Sequence, residues 1–258
     1  MAAQQDKIVS PSDWPEIVRQ VRARTPARVL AGRSGAAYRT NTQMELREAH
    51  AAARDAVRAD LDLQRDFGPA FLQQWNLFEV STDARNKDEY LLRPDLGRRL
   101  SRESKARLGG RCSKGNDLQI VIGDGLSVTA VVAQVPSLLH RLYQGAQSRQ
   151  WSVGQTFVVR HCRVGLLNEI GELLDPKVTI LLIGERPGLA TAESLSAYMA
   201  YQPRTSHTDA DRNLISNIHA RGTNAQDAAV RILKLAARMM NRRASGYLLR
   251  EESSALEE

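Results

Sequence analysis

The stretch KVTILLIGERPGL, residues 177–189, decides how this chain is read. Residues 178–183 are apolar apart from Thr179, which is what a strand buried on both faces presents. Gly184-Glu185-Arg186-Pro187-Gly188 follows, a composition that makes a turn. A buried strand running into a glycine turn is the ligand-bearing end of an open α/β sheet. A phosphate turn offers bare backbone N–H groups, whereas this one presents a carboxylate.

Working outward, the same grammar recurs from about residue 116. LQIVIGDGLS (118–127) reads as a strand into a glycine loop, and VTAVVAQVPSLLHRLYQGA (128–146) as the helix after it. TFVVRHCRV (156–164) is a strand and NEIGELLDP (168–176) a short helix. TAESLSAYMAY (191–201) reads as a helix with Thr191 as its cap. NLISNIHARG (213–222) is a strand or edge segment, and 224–246 a closing helix that ends near Gly246. Apolar strands alternating with helices predict an open, mostly parallel sheet flanked by helices, of the Rossmann-like or flavodoxin-like kind.

The N-terminal part reads as helical. Asp13 before Pro15 starts a short helix, and a long one runs from about residue 42 to about 58. Leu46, Ala49, Ala53, Ala56 and Val57 line one of its faces. Residues 60–110 read as short helices and loops, with Arg93, Arg98, Arg99, Arg102, Lys105 and Arg107 gathered in them. The division expected is a helical region at 1–110 and an α/β domain at 111–258, with an acidic, frayed tail.

Composition narrows the function classes. In 258 residues, 42% are hydrophobic and 25% charged, which is ordinary for a globular protein. No apolar run is long enough to span a bilayer, and the N-terminus lacks the apolar core of a secretory signal. Cys112 and Cys162 are far apart and outside any CxxC, which argues for a reducing compartment. The net charge of +7 comes from 30 Arg against 6 Lys. The basic residues are dispersed among acids, aromatics are 5%, and no nucleic-acid-binding motif is present.

Four polar segments fall where strands end: 123–127, 160–165, 184–188 and 211–217. One crevice beyond the carboxyl ends can collect all four. No GxGxxG follows a strand and no GxxxxGK[ST] is present. Carboxylates at Asp124, Glu185 and Asp211 would repel a phosphate and accept hydrogen bonds from amides or hydroxyls. The ligand expected is polar and rich in donors. His161 and Cys162 are adjacent, so on a strand they face opposite ways and cannot pair. The five histidines, at 50, 140, 161, 207 and 219, have no metal-ligand spacing. The residues alone leave open a free-standing α/β small-molecule or nucleotide-binding protein and an RNA-binding protein resting on charge alone.

ARVLAGRSGAAYRT (27–40), YLLRPDLGRRL (90–100), VIGDGLS (121–127), ILLIGERPGL (180–189), SLSAYMAYQPR (194–204) and ADRNLISNIHARG (210–222) occur in this order. As a set they resemble the small (light) subunit of ethanolamine ammonia-lyase. The resemblance implies part of a lyase that converts ethanolamine to acetaldehyde and ammonia by a radical mechanism with adenosylcobalamin. It implies a large barrel-shaped subunit that holds the substrate, in an assembly with several copies of each chain. Its cobalamin contacts fall on Val164, Glu185 and Leu214, with Arg163 and Ser216 beside them. At Leu214 some relatives have Cys, so a contact there would have to be main-chain. No Asp-x-His-x-x-Gly stretch is present, so base-on binding is implied, with no metal ligand and no catalytic residue from this chain. Some relatives carry a longer leader associated with a bacterial microcompartment. With 13 residues before Trp14, the expectation is the cytoplasm, with the microcompartment open.

Overall fold

The computed structural model describes residues 14–25, 29–188 and 190–249. The helix start read at Asp13, the beginning of the 27–40 segment, Leu189 and the acidic tail lie outside them. A short helix α1 (Glu16–Ala23) and a two-residue hairpin, β1 (Arg33–Ser34) and β2 (Ala37–Tyr38), lead into the long α2 (Thr40–Arg58). The expected face of α2 is the one that packs: Ala56 is buried and Leu46, Ala49, Ala53 and Val57 are half-buried. Next come α3 (Leu63–Trp75), β3 (Glu79–Ser81), α4 (Lys87–Leu92) and α5 (Arg102–Arg111). The sheet continues with β4 (Leu118–Gly123), β5 (Phe157–Arg160), β6 (Val178–Gly184), β7 (Leu195–Tyr201) and β8 (Asn213–Ile218). Between these strands lie α6 (Val128–Gln147) and α7 (Leu166–Leu174), and α8 (Ala225–Arg242) follows the last.

Six strands form one open sheet in the order β3-β5-β4-β6-β7-β8. The first four are parallel, β7 is antiparallel to β6, and β8 is antiparallel to β7, so β8 again runs with β6. The expected mostly parallel α/β sheet is what forms. Every residue of β4 and β6 is buried, as an apolar run without alternation requires. On one face Ile120, Ile122, Ile180 and Leu182 pack against α6 and α8. On the other, Val121, Leu181 and Ile183 meet Leu166, Leu167 and Ile170 of α7, with Leu108 of α5 in the same cluster.

Three element assignments differ from the reading. Residues 195–201 are a strand, not a helix. Their connection to β6 is too short for a parallel crossover, which needs about a dozen residues or more. Leu195, Ala197 and Met199 enter one core while Tyr198 and Ala200 enter the other. With both faces covered, no polar stripe shows the period of two. β3 arises in a stretch read as helices and loops, because three residues are too few to show a period. The closing helix stops at Arg242 rather than near Gly246, with Arg243 in the left-handed region at its end.

Candidate functional site

The parallel strands put their carboxyl ends on one edge, and the loops there hold each other before they hold anything else. Leu126 N–H donates to Gly184 O at 3.1 Å. A Cβ on Gly184 would lie 2.0 Å from Ser127 O, and one on Gly125 would lie 2.3 Å from Gly184 O. Gly125 and Gly184 therefore serve a backbone-on-backbone contact between the two loops.

Two of the three expected carboxylates hold the chain's own loops. Asp124 is 1% exposed and accepts the backbone N–H groups of His161 and Cys162, each at 2.9 Å. The buried Lys87 ammonium lies 4.0 Å from it and 3.4 Å from Gly125 O. A carboxylate satisfied in this way is not free for a ligand. It restrains the turn after β5, where His161 has a φ of 56°. His161 and Cys162 thus lie past the end of β5, in the turn, and not on the strand. His161 Nδ1 meets Ala84 O at 3.1 Å, and the Cys162 thiol sits in the apolar cluster under α7. Asp211 is the third residue of a capping box and accepts both the N–H and the hydroxyl of Thr208. These bonds hold its carboxyl below the ordinary Asp range.

Glu185 is different. It follows β6, is half-buried, and points along the edge toward the two antiparallel strands. Its Oε2 accepts the Ser194 hydroxyl at 2.7 Å, and its Oε1 accepts the Ser196 hydroxyl and the Asn217 N–H at 3.3 Å. A carboxylate has about four lone-pair positions, so three internal donors leave room for one more from outside. The Asn217 contact depends on a β-bulge. Leu195 pairs with Ile218 but Ala197 pairs with Ile215, which places one extra residue on β8. The bulge turns Asn217 to a φ of 60° while keeping Ile215 and Ile218 in the same core. β7 supplies Ser196, β8 supplies Asn217, and neither contribution was read from the sequence. The period of two in Leu195, Ala197 and Met199 was the available signal.

The other residues singled out by resemblance fall as follows. Val164 is half-buried in the turn between β5 and α7, packed against the cluster on α7's side of the sheet. Leu214 pairs across strands with Tyr198, which packs at the edge of that same cluster. Leu214 is 44% exposed, one of the few large apolar side chains so placed. Val164, Tyr198 and Leu214 thus lie on one side of the sheet, with Glu185 at its edge. Burial, then the Glu185 carboxylate, pushes the Tyr198 phenol up, so it stays a neutral hydrogen-bond donor. Arg163 turns the other way: its guanidinium stacks 4.2 Å over Tyr90 and donates to Tyr90 O at 3.1 Å. Its N–H donates to Gly97 O, so it locks the turn that carries Val164. Ser216 is exposed beside the bulge.

A groove of about 600 Å³ adjoins this face, lined by Arg98, Arg99, Gly165, His207, Asp209 and Arg212 among others. The arginine cluster divides around it. Arg93 pairs with Asp95, Lys105 with Glu169, and Arg107 lies over Phe78. Arg98 and Arg99 are exposed, while Leu100 between them and α5 is buried. Among the described residues no group of three His, Cys, Asp or Glu could hold a metal ion, and no helix is long and apolar enough to cross a membrane.

The fold is of the open α/β class, with a half-buried carboxylate, Glu185, at the carboxyl edge of its sheet. Known proteins give that class a family. The family of the ethanolamine ammonia-lyase light chain (EutC) matches residues 15–250. The ethanolamine ammonia-lyase small subunit of Clostridium perfringens is 42% identical over 231 residues, 90% of this chain and 76% of that protein. That of Rhodopseudomonas palustris is 42% identical over 246 residues, covering 95% of this chain and 94% of its own. That of Clostridium acetobutylicum is 40% identical over 235 residues, 91% and 95% of the two chains. This chain belongs to the ethanolamine ammonia-lyase light-chain family, and is a subunit of a carbon–nitrogen lyase.

Proposed function

We propose that this chain is the small subunit of an adenosylcobalamin-dependent ethanolamine ammonia-lyase, which converts ethanolamine to acetaldehyde and ammonia. In this reading it helps to bind the cobalamin where it meets a large catalytic subunit, in an assembly holding several copies of each. The observation that carries the reading is the Glu185 carboxylate, held at the sheet edge by three internal donors with one acceptor position left over. The corrin rim bears neutral amide side arms, and an amide N–H is the donor such a position accepts. Tyr198 and Leu214, paired across β7 and β8, put apolar surface on the side of the sheet where Val164 also packs, and exclusion of water there would protect radical chemistry from side reactions. The cofactor, when bound, supplies that radical chemistry. It binds base-on, and this chain contributes neither a cobalt ligand nor a catalytic residue. Arg98 and Arg99 form the docking surface toward the large subunit, since the neighbouring cations Arg93 and Lys105 are already paired. Two free, buried thiols support a reducing cytoplasmic setting, a bacterial microcompartment included.

The test is Glu185→Ala in the co-expressed complex. Losing the acceptor weakens cobalamin binding by about 1–3 kcal/mol, measured by equilibrium dialysis. Wild-type affinity in an intact complex refutes the assignment.

A further inference from the structure

Glu185 does not orient itself. Its bond from Asn217 N–H requires Asn217 to stay in the left-handed region, at a φ of 60°. Asn tolerates that region better than most residues, yet the conformation is uncommon enough to need support. The support is His219, which is 3% exposed. Its Nδ1 accepts the Arg221 N–H at 3.2 Å. The proton therefore sits on Nε2, which donates to Asn217 Oδ1 at 2.7 Å. The backbone closes the same loop: Thr223 N–H donates to Asn217 O at 2.9 Å, and His219 N–H to Thr223 O at 3.1 Å. Gly222 leaves the space, since a Cβ there would lie 2.4 Å from Asn217 O and 2.8 Å from His219 Nε2. The chain of contacts is continuous: Arg221 N–H, the His219 ring, Asn217 Oδ1, Asn217 N–H, Glu185 Oε1.

We infer that His219 is a positioning residue for the cofactor site. It acts through Asn217 to fix which lone pair of Glu185 remains free. This rests on the proposal that Glu185 accepts from the cobalamin. A histidine bonded at both nitrogens, with one bond directed at the residue that feeds the site, is more than loop filler. A loop filler needs only the Arg221 bond; the second bond is the one that reaches Glu185.

The two bonds can be separated. Gln at 219 places a terminal amide N–H where Nε2 stands, so His219→Gln retains the donor to Asn217. Asn at 219 reaches only as far as Nδ1, so His219→Asn retains the acceptor for Arg221 and loses Asn217. The complex with the large subunit is purified for each variant and for Glu185→Ala. Assembly is read by size exclusion, stability by thermal unfolding, and adenosylcobalamin affinity by equilibrium dialysis. His219→Asn is expected to weaken the cofactor by roughly three- to tenfold, the worth of one hydrogen bond, in a complex that still assembles. His219→Gln is expected to retain wild-type affinity. If Glu185→Ala weakens binding while His219→Asn binds like wild type, or His219→Gln is as weak as His219→Asn, the positioning role is overturned alone. If Glu185→Ala binds like wild type, the cofactor reading beneath it falls as well.

Discussion

Removing the Asp124 carboxylate tests how the other half of the edge is held. Asp124 accepts two backbone N–H groups at 2.9 Å and faces the Lys87 ammonium at 4.0 Å, all of it buried. Asp124→Ala leaves two buried N–H groups without their acceptor and the Lys87 ammonium with only Gly125 O. Each buried donor left unsatisfied costs about 1–3 kcal/mol, so the loss is about 2–6 kcal/mol. With these bonds goes the restraint on the turn after β5, where His161 has a φ of 56°. Asp124→Asn retains one acceptor oxygen and is expected to cost about 1–3 kcal/mol. Lys87→Met is expected to cost least, about 1–2 kcal/mol, because Asp124 retains both N–H donors. The assay is urea unfolding of the purified chain followed by circular dichroism. With a slope of about 1–3 kcal/mol/M, Asp124→Ala moves the midpoint by roughly 1–2 M or more. The same turn carries Arg163 and Val164, so under the proposed function the cobalamin affinity of the assembled complex is expected to fall with it. An Asp124→Ala loss below about 1 kcal/mol would refute the reasoning. So would a Lys87→Met loss as large as Asp124→Ala, since the ion pair and not the N–H bonds would then be holding the turn.

Two further outcomes follow from the structure. Reversing Arg98 and Arg99 to Glu is expected to weaken assembly with the large subunit while leaving the isolated chain folded; undiminished co-purification counts against the docking surface. Both thiols are expected to resist a disulfide reagent at pH 8 in the native chain and to react once unfolded. Burial pushes Cys112 up to about 11, and burial with the nearby Asp124 pushes Cys162 well above the ordinary thiol range. A raised folded-state value favours the protonated thiol, so this contribution to stability is whole below the ordinary range, near pH 8.5, and is lost as pH rises above it. Rapid stoichiometric labelling of the native chain would contradict this.

β4 and β6 were legible because both their faces are buried, which writes a short, mostly apolar run that ends in a glycine turn. β7 was not. Its two faces are also covered, but by small and polar residues such as Ala197, Ser196 and Ala200, which fit a helix as readily. The error propagated to the site. With residues 195–201 read as a helix, Ser196 and Tyr198 could not be placed beside Glu185, and the bulge at Asn217 had no partner strand to be seen against. The carboxylates show a second limit. Asp124, Glu185 and Asp211 all follow or precede strands among glycines and polar residues, and composition treats them alike. Only the structure separates an enclosed, turn-holding Asp124 and a capping Asp211 from a half-buried Glu185 that gathers donors from Ser194, β7 and β8.

That separation explains how one edge can be both rigid and receptive. The parallel half fixes Val164 through Asp124, and does so with a charge wholly enclosed. The antiparallel half fixes Glu185 through two serines, a bulge and a neutral histidine, none of which carries charge. A second buried charge beside Glu185 would satisfy it completely and close it to a ligand; neutral donors orient it without exhausting it. The half of the edge that the proposed function assigns to the ligand is built from weaker, uncharged bonds. Those bonds come from strands added after the parallel core, where polar side chains can reach the edge without crossing an apolar interior.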